Sequence, residues 1–482
     1  MHAKGNVSSY TPPITICCLA LCLLVACVGT IPHTQLRTLV VPDPLGKDSL
    51  GNYTDTTNLT DDALSLKVGE RVVESYTEFD LSIVEFDDQG KFWDKKHQLV
   101  VLDKLVEDPA ARQNGAIILV FVHGWQENTD VLNPTVGCFR QILYQWYLDE
   151  RQDTRRRIIG VYVGWRGKSQ RLPLLKSLTF WTRKKVAHKI GRGDMDELLV
   201  HLGDLKHQLM NLETPAKRRG TRLVVIGHSF GGAIVFSALD NILKKSTLES
   251  VVPLEKGETN KVGVISTGTT DLVVLLNPAF ETLLYSGLAE ATTNCTEFNN
   301  AQTTVLMTIG AQNDTATGVA FPIGQFFPTL LQNFKPHSDE RRMNKTALGH
   351  YTPYFDYQLT GIVGTNSSSA SASDRKHNEI HIRRKENARP RITGTAMDIL
   401  YVGIGEQLNS ITNRQWNLVL YPGKKEPPPP RSPFLVISAT KDIVDNHTGI
   451  WGDPLVEFLR DFISIHDQRK AEAESLELSP KP

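Results

Sequence analysis

The chain has 482 residues, 40% of them hydrophobic, enough for one large domain with insertions or for two to three ordinary ones. Charged residues make up 22% and cancel to a formal +0 at pH 7, so no global field favours nucleic acid as a partner. The basic runs Arg155-Arg156-Arg157 and Arg383-Arg384-Lys385 read as solvated surface.

Residues 14–31, ITICCLALCLLVACVGTI, are uncharged and follow a polar leader containing Lys4. The part before Cys27 has the length of a secretory signal, and taken to residue 31 the stretch approaches the lower limit for a membrane span. Leu24-Val25-Ala26-Cys27 resembles the cleavage box of bacterial lipoproteins. That resemblance implies a signal peptide over residues 1–26, lipidation of Cys27, and a membrane-anchored protein facing the periplasm or the cell exterior. An uncleaved anchor and an ordinary cleaved signal remain open, and all three deliver the folded part outside the cytoplasm. Outside the leader only Cys138 and Cys295 remain, too few for a metal cage or a disulfide framework but able to pair with each other.

Residues 27–74 read as a polar tether. From residue 75 to 106 mixed alternation around an Asp-Gln-Gly turn predicts an antiparallel hairpin at a sheet edge. AIILVFVHGW is a near-continuous apolar strand; a helix follows over about 135–148, then the strand RIIGVYVGW and a helix over 185–210. LVVI, residues 223–226, begins the next strand, and DLVVLLNPAFE, TTVLMTIGAQND and PFLVISATKD supply three more. Strands alternating with helices predict an α/β fold, a mostly parallel sheet covered on both faces with working residues at the carboxyl ends of its strands. Residues 321–431 interrupt this pattern with a Ser/Ala-rich run and a stiff EPPPP segment, and read as a lid or a flexible decoration. Residues 432–466 return to strand and helix, and 467–482 read as a charged tail.

Between the fifth strand and its helix lies Gly227-His228-Ser229-Phe230-Gly231, which fits G-x-S-x-G. So tight a turn needs small residues where backbones nearly touch, and it leaves Ser229 at the tip. A serine hydroxyl needs a base to become a nucleophile, and imidazole titrates near neutrality. With VFVHGW (120–125) before it and VDNHTGIW (444–451) after it, the sequence resembles the α/β-hydrolase superfamily, serine esterases and lipases in particular, over about residues 75–320 and 432–465.

The resemblance implies the chain order Ser229, Asp314, His447 as nucleophile, acid and base. Glu281 competes for the acid, followed by Asp442 and Asp445, which lie so close to His447 along the chain that they read as shaping its loop, and His350 is the reserve base. His123 and His228 are assigned to structure. Phe230 and Trp125 are expected to present backbone N–H groups to an oxyanion. Sequons at Asn313 and Asn446 read as chance, because glycans there would obstruct this site. The implied activity is hydrolysis of carboxylic esters on an ester or lipid-like substrate, with no metal or organic cofactor. An amidase, thioesterase or acyltransferase with the same triad, and a non-catalytic surface lipoprotein, are the alternatives.

Overall fold

A computed structural model describes residues 73–76, 78–129, 133–150, 155–167, 180–212, 220–251, 263–330, 332–361 and 415–478. The leader, Cys27, nearly all of the tether, the run Arg383-Arg384-Lys385 and the Ser/Ala-rich run lie outside the described residues. Among those described, no helix is long and apolar enough to cross a membrane.

The protein is α/β. Its strands are β1 (Val73–Ser75), β2 (Phe79–Glu85), β3 (Ala116–Val122), β4 (Arg157–Gly164), β5 (Arg222–His228), β6 (Leu272–Leu276), β7 (Leu306–Ala311), β8 (Tyr357–Gly361), β9 (Trp416–Leu420) and β10 (Phe434–Ala439). They form one sheet in the order β1-β2-β4-β3-β5-β6-β7-β10-β8-β9. The strands from β2 across to β8 run parallel, with β1 and β9 antiparallel at the two edges.

Helices cover both faces. In β3, Ile118, Val120 and Val122 point into one core while Ile117, Leu119 and Phe121 point into the other, the period of two that a strand buried on both sides imposes. The first core is packed by α1 (Lys95–Leu105), α2 (Pro109–Asn114), α4 (Phe180–Gly191), α5 (Met195–Leu212), α6 (Phe230–Ser250) and α7 (Thr282–Thr292). The second is packed by α3 (Pro134–Asp149) and α10 (Asp453–Leu478). Two shorter helices, α8 (Phe321–Thr329) and α9 (Glu340–Lys345), precede β8.

Five expectations need correction. The hairpin's turn forms, with the Asp87 carboxylate accepting from the Gln89 and Lys91 N–H groups, but its second arm is helix α1. Leu99, Leu102 and Leu105 recur at helical spacing there, and only the bridge Phe86 to Phe92 remains of the pairing. The helix over 185–210 is two helices, because the Asp194 N–H donates to the Gly90 carbonyl at 2.8 Å and its carboxylate binds Lys91 and the Phe92 N–H. Residues 321–431 are not only lid or decoration, since β8 and β9 extend the sheet. Trp416 anchors β9 to α10 by its indole N–H to Asp461 and its ring against Phe458.

The tail instead continues α10, and Asp467 on it pairs with Arg222 and Arg156 at 2.7 Å each. Arg156 is therefore buried between Asp467 and Glu150, and Arg157 pairs with Asp80. Arg156 and Arg157 thus belong to internal ion pairs rather than solvated surface, and Arg155 lies over the Tyr147 ring. Cys138 and Cys295 are both free thiols.

Candidate functional site

β3, β5, β6, β7 and β10 are consecutive in the sheet, and the chemistry-bearing residues follow the ends of these strands. Ser229 lies between the end of β5 and the start of α6 with φ 56° and ψ −121°, a conformation that non-glycine residues adopt only when their surroundings enforce it. The surroundings are specific. Its N–H donates to the Leu276 carbonyl and its own carbonyl accepts from the Ala279 N–H, both at 3.0 Å. A Cβ on Gly231 would lie 2.0 Å from the Val122 oxygen, so the helix can approach β3 only because that residue has no side chain.

Asp314 stands just past the end of β7, and His447 lies on the loop that leaves β10. His447 Nε2 is 2.8 Å from Ser229 Oγ and its Nδ1 is 2.7 Å from Asp314 Oδ2. An ionised carboxylate can only accept, so Nδ1 carries the proton and Nε2 is left to accept from the serine hydroxyl. Burial pushes the Asp314 carboxyl up, but the hydrogen bond and charge of His447, joined by the Thr317 hydroxyl and amide, outweigh it and hold Asp314 down to about 2. The remaining oxygen, Oδ1, accepts from the Ala316 and Thr317 N–H groups.

The carbonyl of His447 is also held. His228 Nε2 donates to it at 2.9 Å and Asn277 Nδ2 at 3.0 Å, while Asn277 Oδ1 accepts from the Ala311 N–H. Burial, followed by the charge of His447, lowers the His228 pKa to about 3, so this ring is a neutral donor. Asn313 closes the loop from the other side, donating to Asp445 and accepting from the Asn446 N–H. The amide nitrogens of Asn313 and Asn446 both bond Asp445.

His123 is turned away from Ser229. Its Nδ1 donates to the Gly124 carbonyl and its Nε2 accepts from the Trp165 N–H. Gly124 is packed so closely against the turn at Ser229 that a Cβ there would lie 2.7 Å from Cβ of Ser229. Next to it, Trp125 meets the Phe180 ring edge-on at 5.5 Å, and Phe180 in turn lies 5.0 Å from the Phe230 ring. Phe230 opens α6, where a helix leaves its first N–H groups without carbonyl partners of its own.

The competing acids lie elsewhere. Glu281 bonds Lys184 and Gln325, Asp442 accepts from the Gly361 N–H, and Asp445 belongs to the loop as described. His350 contacts Thr317 rather than Ser229. Among the described residues no group of three or more His, Cys, Asp or Glu side chains is placed to hold a metal ion. Sequence reasoning missed Asn277 and Thr317. A polar asparagine closing the apolar run LVVLLN is the one local sign that Asn277 has a task.

Compared with known proteins, the chain matches no family model, no curated protein and no solved structure. The site's chemistry therefore rests on its geometry. A hydroxyl, an imidazole and a carboxylate in hydrogen-bonded series can deliver an alkoxide-like oxygen to an electrophile and hold the proton for a leaving group.

Proposed function

We propose that the protein is a serine hydrolase of the α/β-hydrolase type that cleaves carboxylic esters. The observation that carries this reading is the contact of His447 Nε2 with Ser229 Oγ while its Nδ1 meets Asp314, at the carboxyl ends of parallel strands. His447 takes the Ser229 proton as Oγ attacks the ester carbonyl. The N–H groups of Phe230 and Trp125 receive the oxyanion. Collapse of the tetrahedral intermediate breaks the bond to the alkoxide, which leaves with the proton held on His447 Nε2. Water, deprotonated in turn by His447, attacks the acyl-Ser229 ester and releases the acid.

An apolar, lipid-like acyl group fits the surroundings. Trp125, Phe180, Phe230 and Phe321 form a chain of ring contacts beside Ser229. Val319, Ile323, Phe326 and Leu330, close after Asp314 in the chain, are 55%, 64%, 47% and 54% exposed, a concentration of apolar surface that commonly marks binding. The apolar leader and Cys27 support the further proposal that the enzyme works outside the cytoplasm, tethered to a membrane.

A fluorophosphonate probe tests the reading. Labelling of the wild type that is lost in Ser229→Ala is the expected result; a folded wild type that takes no label contradicts it.

A further inference from the structure

The hydrogen-bonded series does not stop at Asp314. Thr317 sits in the π-helical turn Ala316–Ala320 and donates its hydroxyl proton to Asp314 Oδ2. On its other side Thr317 Oγ1 is 2.9 Å from His350 Nε2. The carboxylate can only accept, so the threonine's single proton is committed to Asp314 and its lone pairs face His350. His350 must then carry its proton on Nε2. The series reads Ser229, His447, Asp314, Thr317, His350, each bonded to the next.

The position of His350 is built into the backbone. It ends the 3-10 turn Leu348–His350, which lies against the end of β7. A Cβ on Gly310 would sit 2.2 Å from the Gly349 oxygen, and one on Gly318 would sit 3.0 Å from the His350 ring. Two glycines thus clear the space through which the turn reaches Thr317. His350 carries no direct bond to Ser229 or His447, so its effect on either passes through Thr317 and Asp314.

We infer that His350 is a positioning residue: through Thr317 it fixes the rotamer of Asp314 and sets how strongly that carboxylate holds the Nδ1 proton of His447. The inference rests on the triad proposed above, but its first readout does not need catalysis. The titratable groups acting on His350 are Asp314 and His447. Removing the Thr317 hydroxyl takes a donor from Asp314, and a less solvated carboxylate holds an imidazolium more tightly; removing the His350 N–H leaves that hydroxyl in place but no longer locked.

Proton NMR of the full chain should therefore show the His447 Nδ1–H resonance, which reports its bond to Asp314, moved in Thr317→Val and moved less in His350→Leu. Hydrolysis of p-nitrophenyl acetate should fall about tenfold in kcat in both, with KM changed less than about twofold, because the defect is one of alignment. His350→Gln, which keeps a donor, should recover most of the rate. If His350→Leu does not fold, Thr317→Val carries the same test. An unmoved His447 Nδ1–H resonance with an unmoved kcat in these variants overturns the inference. A moved resonance in a protein that hydrolyses no ester would sustain the inference and remove the proposed function instead.

Discussion

His228, the residue before Ser229, donates from Nε2 to the backbone carbonyl of His447 at 2.9 Å. The strand that presents the serine thus also grips the loop that presents the imidazole, across 219 positions of sequence. Asn277 at the end of the next strand grips the same carbonyl. Ser229 and His447 are held at contact distance by backbone anchors rather than by their own hydrogen bond alone.

His228→Phe tests that anchor. An aromatic ring is kept but its donor is lost, so the His447 carbonyl retains only the bond from Asn277. Ester hydrolysis should fall about tenfold in kcat through misalignment, and stability should drop by about 1 kcal/mol, the net worth of one hydrogen bond. Steady-state rates and urea unfolding of the same variant measure both.

The choice of acid separates two carboxylates. Asp314→Asn should lower kcat by about 10⁴-fold, because an amide favours the wrong imidazole tautomer. Glu281→Gln should leave the rate within about threefold. It should instead cost about 3 kcal/mol of stability, because it strands the buried Lys184 ammonium. Equal rate losses in the two variants would contradict the assignment of Asp314.

Acid should unfold the protein in two stages. Burial lowers His188, His228 and His466 to about 4, about 3 and about 4. In the unfolded chain each takes its proton near pH 6.5, so the unfolded state binds more protons and stability is lost as pH falls below that value. Asp314 adds a second loss of about 2 kcal/mol between about pH 4 and pH 2, where its carboxylate is protonated and releases His447. Denaturation midpoints should decline steadily from pH 6.5 downward, and His228→Gln should flatten the first part of that decline.

Phe180 packs against both Trp125 and Phe230, the two nominated oxyanion donors, so it should shape the acyl side of the site. Phe180→Ala should cost about 2 kcal/mol from lost apolar burial. The same change should shift kcat/KM among p-nitrophenyl esters toward longer acyl chains. An unchanged chain-length profile would exclude Phe180 from the substrate wall.

How far the sequence can be read follows from where each signal is local. β3 to β7 and β10 are legible because burial on both faces leaves unbroken apolar runs. β8 and β9 are not: each is five residues long and only partly buried, and their pairing joins segments far apart in the chain. α1 is mistaken for a strand because VVL in its middle imitates one. At the site, Ser229 is visible from its glycines, and Asp314 and His447 from their places after strands. Thr317 and the bond from His228 are invisible, and Asn277 shows only as a polar residue closing an apolar run, because the task of each is defined by a partner that only the fold supplies.

The most direct measurement is the mass of the protein during turnover. Acid quenching a few milliseconds after mixing with p-nitrophenyl butyrate, followed by peptide mapping, should find a butyryl group on the peptide containing Ser229, together with a stoichiometric burst of p-nitrophenol. Ester cleavage that proceeds without that adduct, or persists in Ser229→Ala, would contradict an acyl-serine enzyme.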